Sequence, residues 1–209
     1  MSDDLCACCG TTAEQQPATD DTEDIETVTL DTTLPSDLQA ALAQFLDCES
    51  IRTLGEWADA IRQQTGGGAI SREDLCHVDE KTGHWGDLDG ERYHFACFYD
   101  AIILAGMADR RVDIRTESPD GTVIEARAVG QDELSVSPPD AVFSIGVDET
   151  VVAADEEPSI EESYAAICPH VKAFPDRAAY EEWAADVPAA TAAMPLAGAT
   201  DLAEALVAE

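Results

Sequence analysis

Lysine is almost missing from this chain: Lys81 and Lys172 are the only two in 209 residues, and arginine raises the basic total only to 11. Against them stand 44 acidic residues, giving a formal net charge of -33. Partners rich in phosphate need clustered Lys and Arg, so nucleic acid and anionic membrane are excluded as partners. A chain this acidic repels itself at low salt. At molar salt the Debye length falls to about 3 Å and the repulsion is screened. The charge balance points to a salt-adapted protein from the cytoplasm of an extreme halophile. Long apolar runs are missing too. The longest, Ala101 to Ala108, is far too short to span a bilayer. The first twenty residues hold neither the basic residues nor the apolar stretch of a secretory signal, so the expectation is a soluble, cytoplasmic protein.

Aromatic residues make up only 6% of the chain, and alanine and valine supply much of the 45% hydrophobic content. That is enough for one compact domain with a small extra one. The cysteines, at 6, 8, 9, 48, 76, 97 and 168, are odd in number and irregular in spacing. They form no disulfide framework, which leaves thiol chemistry or metal binding for some of them. Gly66-Gly-Gly lacks the Lys-Ser/Thr that a phosphate cradle requires and reads as a loop.

The patterning predicts an α+β protein in three parts. Residues 1–33 carry nine acidic residues and no basic ones, the composition of a disordered tail, with Cys6, Cys8 and Cys9 near its start. Residues 34–93 read as a winged-helix-like helical module. Leu34, Leu38, Leu42 and Phe45 mark a first helix with Ser36 as its N-cap. Leu54, Trp57, Ala58 and Ile61 mark a second, and Ser71 with Asp74 caps a third. Turns at Gly83, Gly86 and Asp89-Gly90 flank a short hairpin. Cys48 and Cys76 read as packing residues of this module, and His77, His84 and His94 lack the second Cys pair of a zinc site. Residues 94–209 read as a mixed or antiparallel β core with flanking helices. They comprise a buried helix over 95–107, strands over 112–118, 122–129, 134–137 and 141–147, a helix over 156–167, and a strand over 171–174. A helix capped by Asp176 and a last helix over 198–208 complete the set.

The candidate chemistry lies in Phe95-Ala-Cys-Phe-Tyr-Asp100 and in Cys168 downstream. On a helix, Cys97 and Asp100 at i and i+3 share a face. An aspartate inside an apolar helix is costly to bury charged, and burial raises its pKa, which makes it a proton donor. From the residues alone other readings stay open: Asp100 as a cap or ion-pair residue, Cys97 as a small buried hydrophobe, and Cys168 as a structural residue before Pro169.

Taken together the pattern is more specific. Cys97-Phe-Tyr-Asp100 at the start of an apolar helix, a β-rich core, then Cys168-Pro-His170-Val171 resembles the organomercurial lyases (alkylmercury lyases). The helix around Tyr180-Glu-Glu-Trp183 resembles their C-terminal segment. The sequence departs from that pattern in having Pro169 where some members have a second cysteine, Ala96 where a large aromatic is usual, and the acidic extension with its three cysteines. The resemblance implies protonolysis of a carbon–mercury bond, with Cys97, Asp100 and Cys168 as catalytic residues and the two thiolates as ligands of the soft Hg(II). Asp100 would take a thiol proton and pass it to the leaving carbon. It implies no cofactor. Cellular thiols would release the product, and a mercuric reductase is a candidate recipient. Cys6, Cys8 and Cys9 would suit scavenging or relaying the metal. Two other functions fit the residues: a non-catalytic soft-metal (mercury or copper) binding or chaperone protein on the same fold, and a metal-responsive regulator. Replacing Asp100 separates an enzyme from a chaperone, because only the enzyme needs the proton.

Overall fold

The computed structural model describes residues 25–64, 70–131, 133–148, 150 and 160–208. The Cys6, Cys8 and Cys9 tail, Gly66-Gly-Gly and the expected helix start at Glu156 lie outside them. The chain opens with helix α1 (Ser36–Phe45), which buries Leu38, Leu42 and Phe45 as their spacing predicts. Its N-cap is Pro35, with Ser36 the first helical residue. Helix α2 (Leu54–Gln64) follows and buries Leu54, Trp57 and Ala58. The expected third helix shrinks to a 3-10 turn, Arg72–Asp74, closed by the Ser71 N–H donating to Asp74 Oδ2 at 2.8 Å.

Strands β1 (Trp85–Leu88) and β2 (Glu91–His94) form the hairpin, helix α3 (Tyr99–Ala108) follows, and then come β3 (Arg111–Glu117), β4 (Val123–Val129) and β5 (Glu133–Ser137). These strands make one antiparallel sheet in the order β2-β1-β3-β4-β5. The hairpin is therefore no free wing, because Trp85 to Leu88 pair with Arg115 to Val112 of β3. The hydrophobic core runs without a break from Leu34 and Leu38 through Leu104 to Leu206. Strand β3 alternates buried and exposed residues, as expected for a strand with one face on the core.

A second antiparallel sheet holds β6 (Val142–Asp148) between β7 (Ala173–Phe174) and β8 (Ala189–Pro195). Strand β6 is buried on both faces over six successive residues. Helix α4 (Ile160–Ile167) leads into a 3-10 turn, Cys168–His170, before β7. Helix α5 (Arg177–Ala184) starts at Asp176, whose carboxylate accepts the Ala179 N–H at 2.9 Å, the cap the sequence predicts. Helix α6 (Ala199–Val207) closes the chain against α2 and α3. Strand β8 was not anticipated: Ala-Ala-Thr-Ala-Ala-Met-Pro has little strand propensity and is held by its seven-residue register with β6.

Two glycines place the elements that matter for the site. A Cβ on Gly86 would stand 2.9 Å from Val112 Cγ1 and 3.1 Å from Ala101 Cβ, so its absence lets α3 lie directly on β1 and β3. A Cβ on Gly146 would meet the Ala190 carbonyl oxygen at 2.7 Å and His170 Cβ at 3.0 Å, so the turn after Cys168 rests on bare backbone of β6. Among the described residues no helix is long and apolar enough to cross a membrane.

Candidate active site

Helix α3 begins at Tyr99, so Cys97 lies in the bend before the helix and not on its face, as the spacing had led one to expect. The bend is set by a short antiparallel contact, with Val78 N–H donating to the His94 carbonyl at 3.0 Å and Ala96 N–H to the Cys76 carbonyl at 2.9 Å. Phe95, fully buried, anchors it. The outcome for the two side chains is nonetheless the expected one. Cys97 is 6% exposed and Asp100 7%, and Cys97 Sγ donates to Asp100 Oδ2 at 3.4 Å.

Asp100 is the second residue of α3. The free N–H groups of a helix start favour a carboxylate there. Burial opposes this and dominates, raising the Asp100 pKa to about 6 in spite of hydrogen bonds from the Cys97 thiol and the Cys76 backbone N–H. Asp100 is thus neither an exposed cap nor an ion-pair residue. It is a carboxyl group poised near neutrality beside a thiol.

Cys168 reaches the same place from the turn after α4. Hydrogen bonding to Cys168 and burial hold the Cys97 thiol well above its ordinary pKa, with the Asp100 charge adding to the effect. Hydrogen bonding to Cys76 does most to raise Cys168, and burial adds to it. Both sulfurs are therefore thiols near pH 7, and each needs a base to take its proton as it binds a metal. The Cys168 turn is fixed by Ser144 Oγ, which donates to the His170 carbonyl at 2.7 Å. His170 is buried near Trp183 at a ring separation of 6.4 Å, and burial lowers its pKa.

The structure adds a residue that the sequence reading placed elsewhere. Cys76 does not merely pack in the helical module. Its Sγ lies 3.6 Å from Cys168 Sγ, across 92 residues of sequence. No local spacing could signal this, because the contact joins a segment paired with residues 94–96 to the turn after α4. Cys48 is exposed. The histidines are structural. His77 Nε2 meets the Arg72 carbonyl at 3.0 Å, His84 Nδ1 meets Thr116 Oγ1 at 2.6 Å, and His94 Nδ1 accepts the Thr82 N–H at 3.2 Å. Among the described residues no three His, Cys, Asp or Glu side chains converge as a metal-ion cage.

Cys97, Asp100 and Cys168 open onto a cavity of about 90 Å³ whose walls include Leu75, Ile103, Ile145, Ile167 and Leu202. Tyr164 closes one side by donating its hydroxyl to the Asp74 carbonyl. Two thiols and one carboxyl group in an apolar chamber have the chemistry to receive a soft metal that carries a small apolar group. A family model described as alkylmercury lyase matches residues 78–208.

The chain belongs to the alkylmercury lyase family.

Alkylmercury lyases cleave the carbon–mercury bond of organomercurials, and that is the activity of this enzyme. Among solved structures, the mercury-bound form of MerB2 is similar over 83% of this chain and 91% of that chain, at 14% identity and a TM-score of 0.47. The search of curated proteins finds no match. The match to the lyase family spans Cys97, Asp100 and Cys168 and begins two residues after Cys76.

Proposed function

We propose that Cys97, Cys168 and Asp100 carry out the lyase reaction of this chain. The observation that carries the reading is the Cys97 Sγ–Asp100 Oδ2 contact of 3.4 Å, buried at the wall of an apolar cavity with Cys168 alongside. The substrate is an organomercurial, R–Hg–X, with X a thiolate. One cysteine thiol binds mercury and its proton leaves with X as HX. The second thiol loses its proton to the Asp100 carboxylate as its sulfur binds mercury. Electron density from two thiolates weakens the Hg–C bond, and the Asp100 carboxyl delivers the proton to carbon. The hydrocarbon R–H departs, Asp100 is a carboxylate again, and Hg(II) remains between Cys97 and Cys168. Mercury stays Hg(II) throughout, so the balance calls for no redox partner and no cofactor. The apolar walls strengthen the proton transfer by excluding water.

In the same proposal, low-molecular-weight cellular thiols remove the product and a mercuric reductase receives it. The Cys6, Cys8 and Cys9 cluster handles the metal before or after the reaction. The enzyme works in the salt-rich cytoplasm of a halophile, as the net charge of -33 favours.

Headspace detection of methane from purified protein and methylmercury, in molar KCl with excess thiol, tests the mechanism. The unsubstituted chain should release methane. Cys97→Ser and Cys168→Ser should abolish it, and Asp100→Ala should slow it by about 10² or more, the usual loss for a proton-transfer group. Methane production undiminished in Asp100→Ala would remove Asp100 from the mechanism.

A further inference from the structure

The reaction leaves Hg(II) on a buried sulfur. Cys97 is 6% exposed and is the most buried of the three sulfurs. Cys168 and Cys76 are both half-buried. Cys168 stands between the other two, in contact with Cys97 on one side and 3.6 Å from Cys76 Sγ on the other. The three sulfurs do not converge as a cage. They form a row in which Cys168 belongs to both pairs.

We propose that Cys76 is the exit thiol of this enzyme, accepting Hg(II) from Cys97 while Cys168 keeps hold of it. The proposal rests on the reading of Cys97 and Cys168 as the product-holding pair. In the transfer, Cys76 Sγ bonds to mercury and the Cys97 Sγ–Hg bond breaks. The proton lost by Cys76 ends on Cys97, so the starting Cys76 thiol with Cys97–S–Hg–S–Cys168 becomes the Cys97 thiol with Cys76–S–Hg–S–Cys168. Mercury remains Hg(II) and no outside reactant is consumed. Asp100 is placed to carry the proton, since its carboxylate accepts from both the Cys97 thiol and the Cys76 backbone N–H. A thiol held in position competes far better than the same thiol free in solution, because the exchange becomes intramolecular. The metal then rests on two half-buried sulfurs, where a small thiol can take it. The pair Cys97 and Cys168 is reset for the next substrate. Cys76 lies two residues before the stretch that matches the lyase family.

The test uses the full chain with Cys6, Cys8, Cys9 and Cys48 replaced by serine, so that bound mercury sits on the three site thiols. The reduced protein is loaded with one equivalent of HgCl2. Excess glutathione is then added, and mercury appearing in the small-molecule fraction is timed. Cys76→Ser should slow this transfer at least tenfold, and should slow it at least tenfold more than it slows methane release in the first turnover with methylmercury. Transfer within twofold of the parent would overturn the proposal. A first-turnover loss as large as the transfer loss would also overturn it, placing Cys76 in cleavage instead of exit. A second measurement needs no substitution at Cys76. N-Ethylmaleimide applied to the mercury-loaded parent should trap Cys76 each time the metal returns to Cys97 and Cys168, and the labelled protein should release mercury at least tenfold more slowly. Unchanged release after labelling at Cys76 would overturn the proposal even if Cys76→Ser does not fold. Absence of methane from the parent would instead refute the lyase mechanism, while the transfer rates would still judge Cys76.

Discussion

Asp100 ties activity and stability together in one side chain. Its pKa is raised by burial from 3.8 to about 6, so the folded protein holds a proton there that the unfolded chain has released between those values. The penalty is therefore absent at pH 3, grows as pH rises, and is complete above about pH 6. At 1.36 kcal/mol per pKa unit it amounts to about 3 kcal/mol. Asp100→Asn should then raise the unfolding free energy at pH 8 by about 1–3 kcal/mol in urea melts and give little gain at pH 4, while methane release slows by about 10² or more. The carboxylate form is the one that takes the thiol proton, so kcat/KM should fall as pH drops, along a limb with an apparent pKa near 6. In Asp100→Asn that limb should vanish from whatever activity remains. The contact that makes Asp100 useful was visible in the spacing of Cys97 and Asp100. Its geometry was not: a helix face was expected, and a bend before the helix delivers the same meeting.

At the scale of elements, the site depends on how closely α3 and the Cys168 turn approach their sheets. Gly86→Val should push α3 away from β1 and β3, since even a Cβ there meets Val112 and Ala101. Overpacking of this kind costs about 1–3 kcal/mol, and because α3 carries Asp100 the rate should fall with the melting midpoint. Asp176→Ala provides the contrast. It removes the N-cap of α5, which lies in the separate small cluster around Phe174 and Tyr180. It should cost about 1 kcal/mol and leave the methane rate per folded molecule unchanged. Helices α1, α2, α5 and α6 were legible because apolar residues recur at helical spacing, with Asp176 marking the start of α5 as well. Strand β8 was not, because five small residues and a proline carry no alternating pattern. Its partner β6 and the burial it gains there define it. The short turn at Arg72–Asp74 shows the same limit from the other side: a capping pattern was present, but no apolar stripe followed to extend a helix.

The whole molecule is governed by its charge. The ion pairs among the described residues, such as Arg110 with Asp89 and Arg127 with Asp113, are exposed and add little to stability. Acidic residues outnumber basic ones four to one, 44 against 11. Added salt should therefore stabilise the fold. The melting midpoint should rise by several degrees between about 0.1 M and about 2 M KCl and then level off as the Debye length approaches the spacing of neighbouring charges. A midpoint that falls over that range would set the salt-adapted reading aside.

Composition and order along the chain were enough to determine the acidic surface, the α+β class, most helix and strand positions, and the three residues whose types and sequence order resemble an alkylmercury lyase. Those are one-dimensional properties: periodicity, caps, charge and the order of Cys97, Asp100 and Cys168. Tertiary structure alone decided that the hairpin joins β3 in a sheet, that Asp100 is buried enough to be poised near neutrality, and that Cys76 stands beside Cys168. Each of these depends on a contact between distant segments. Such contacts are chosen by the burial of many side chains at once, and no single stretch of sequence carries that information.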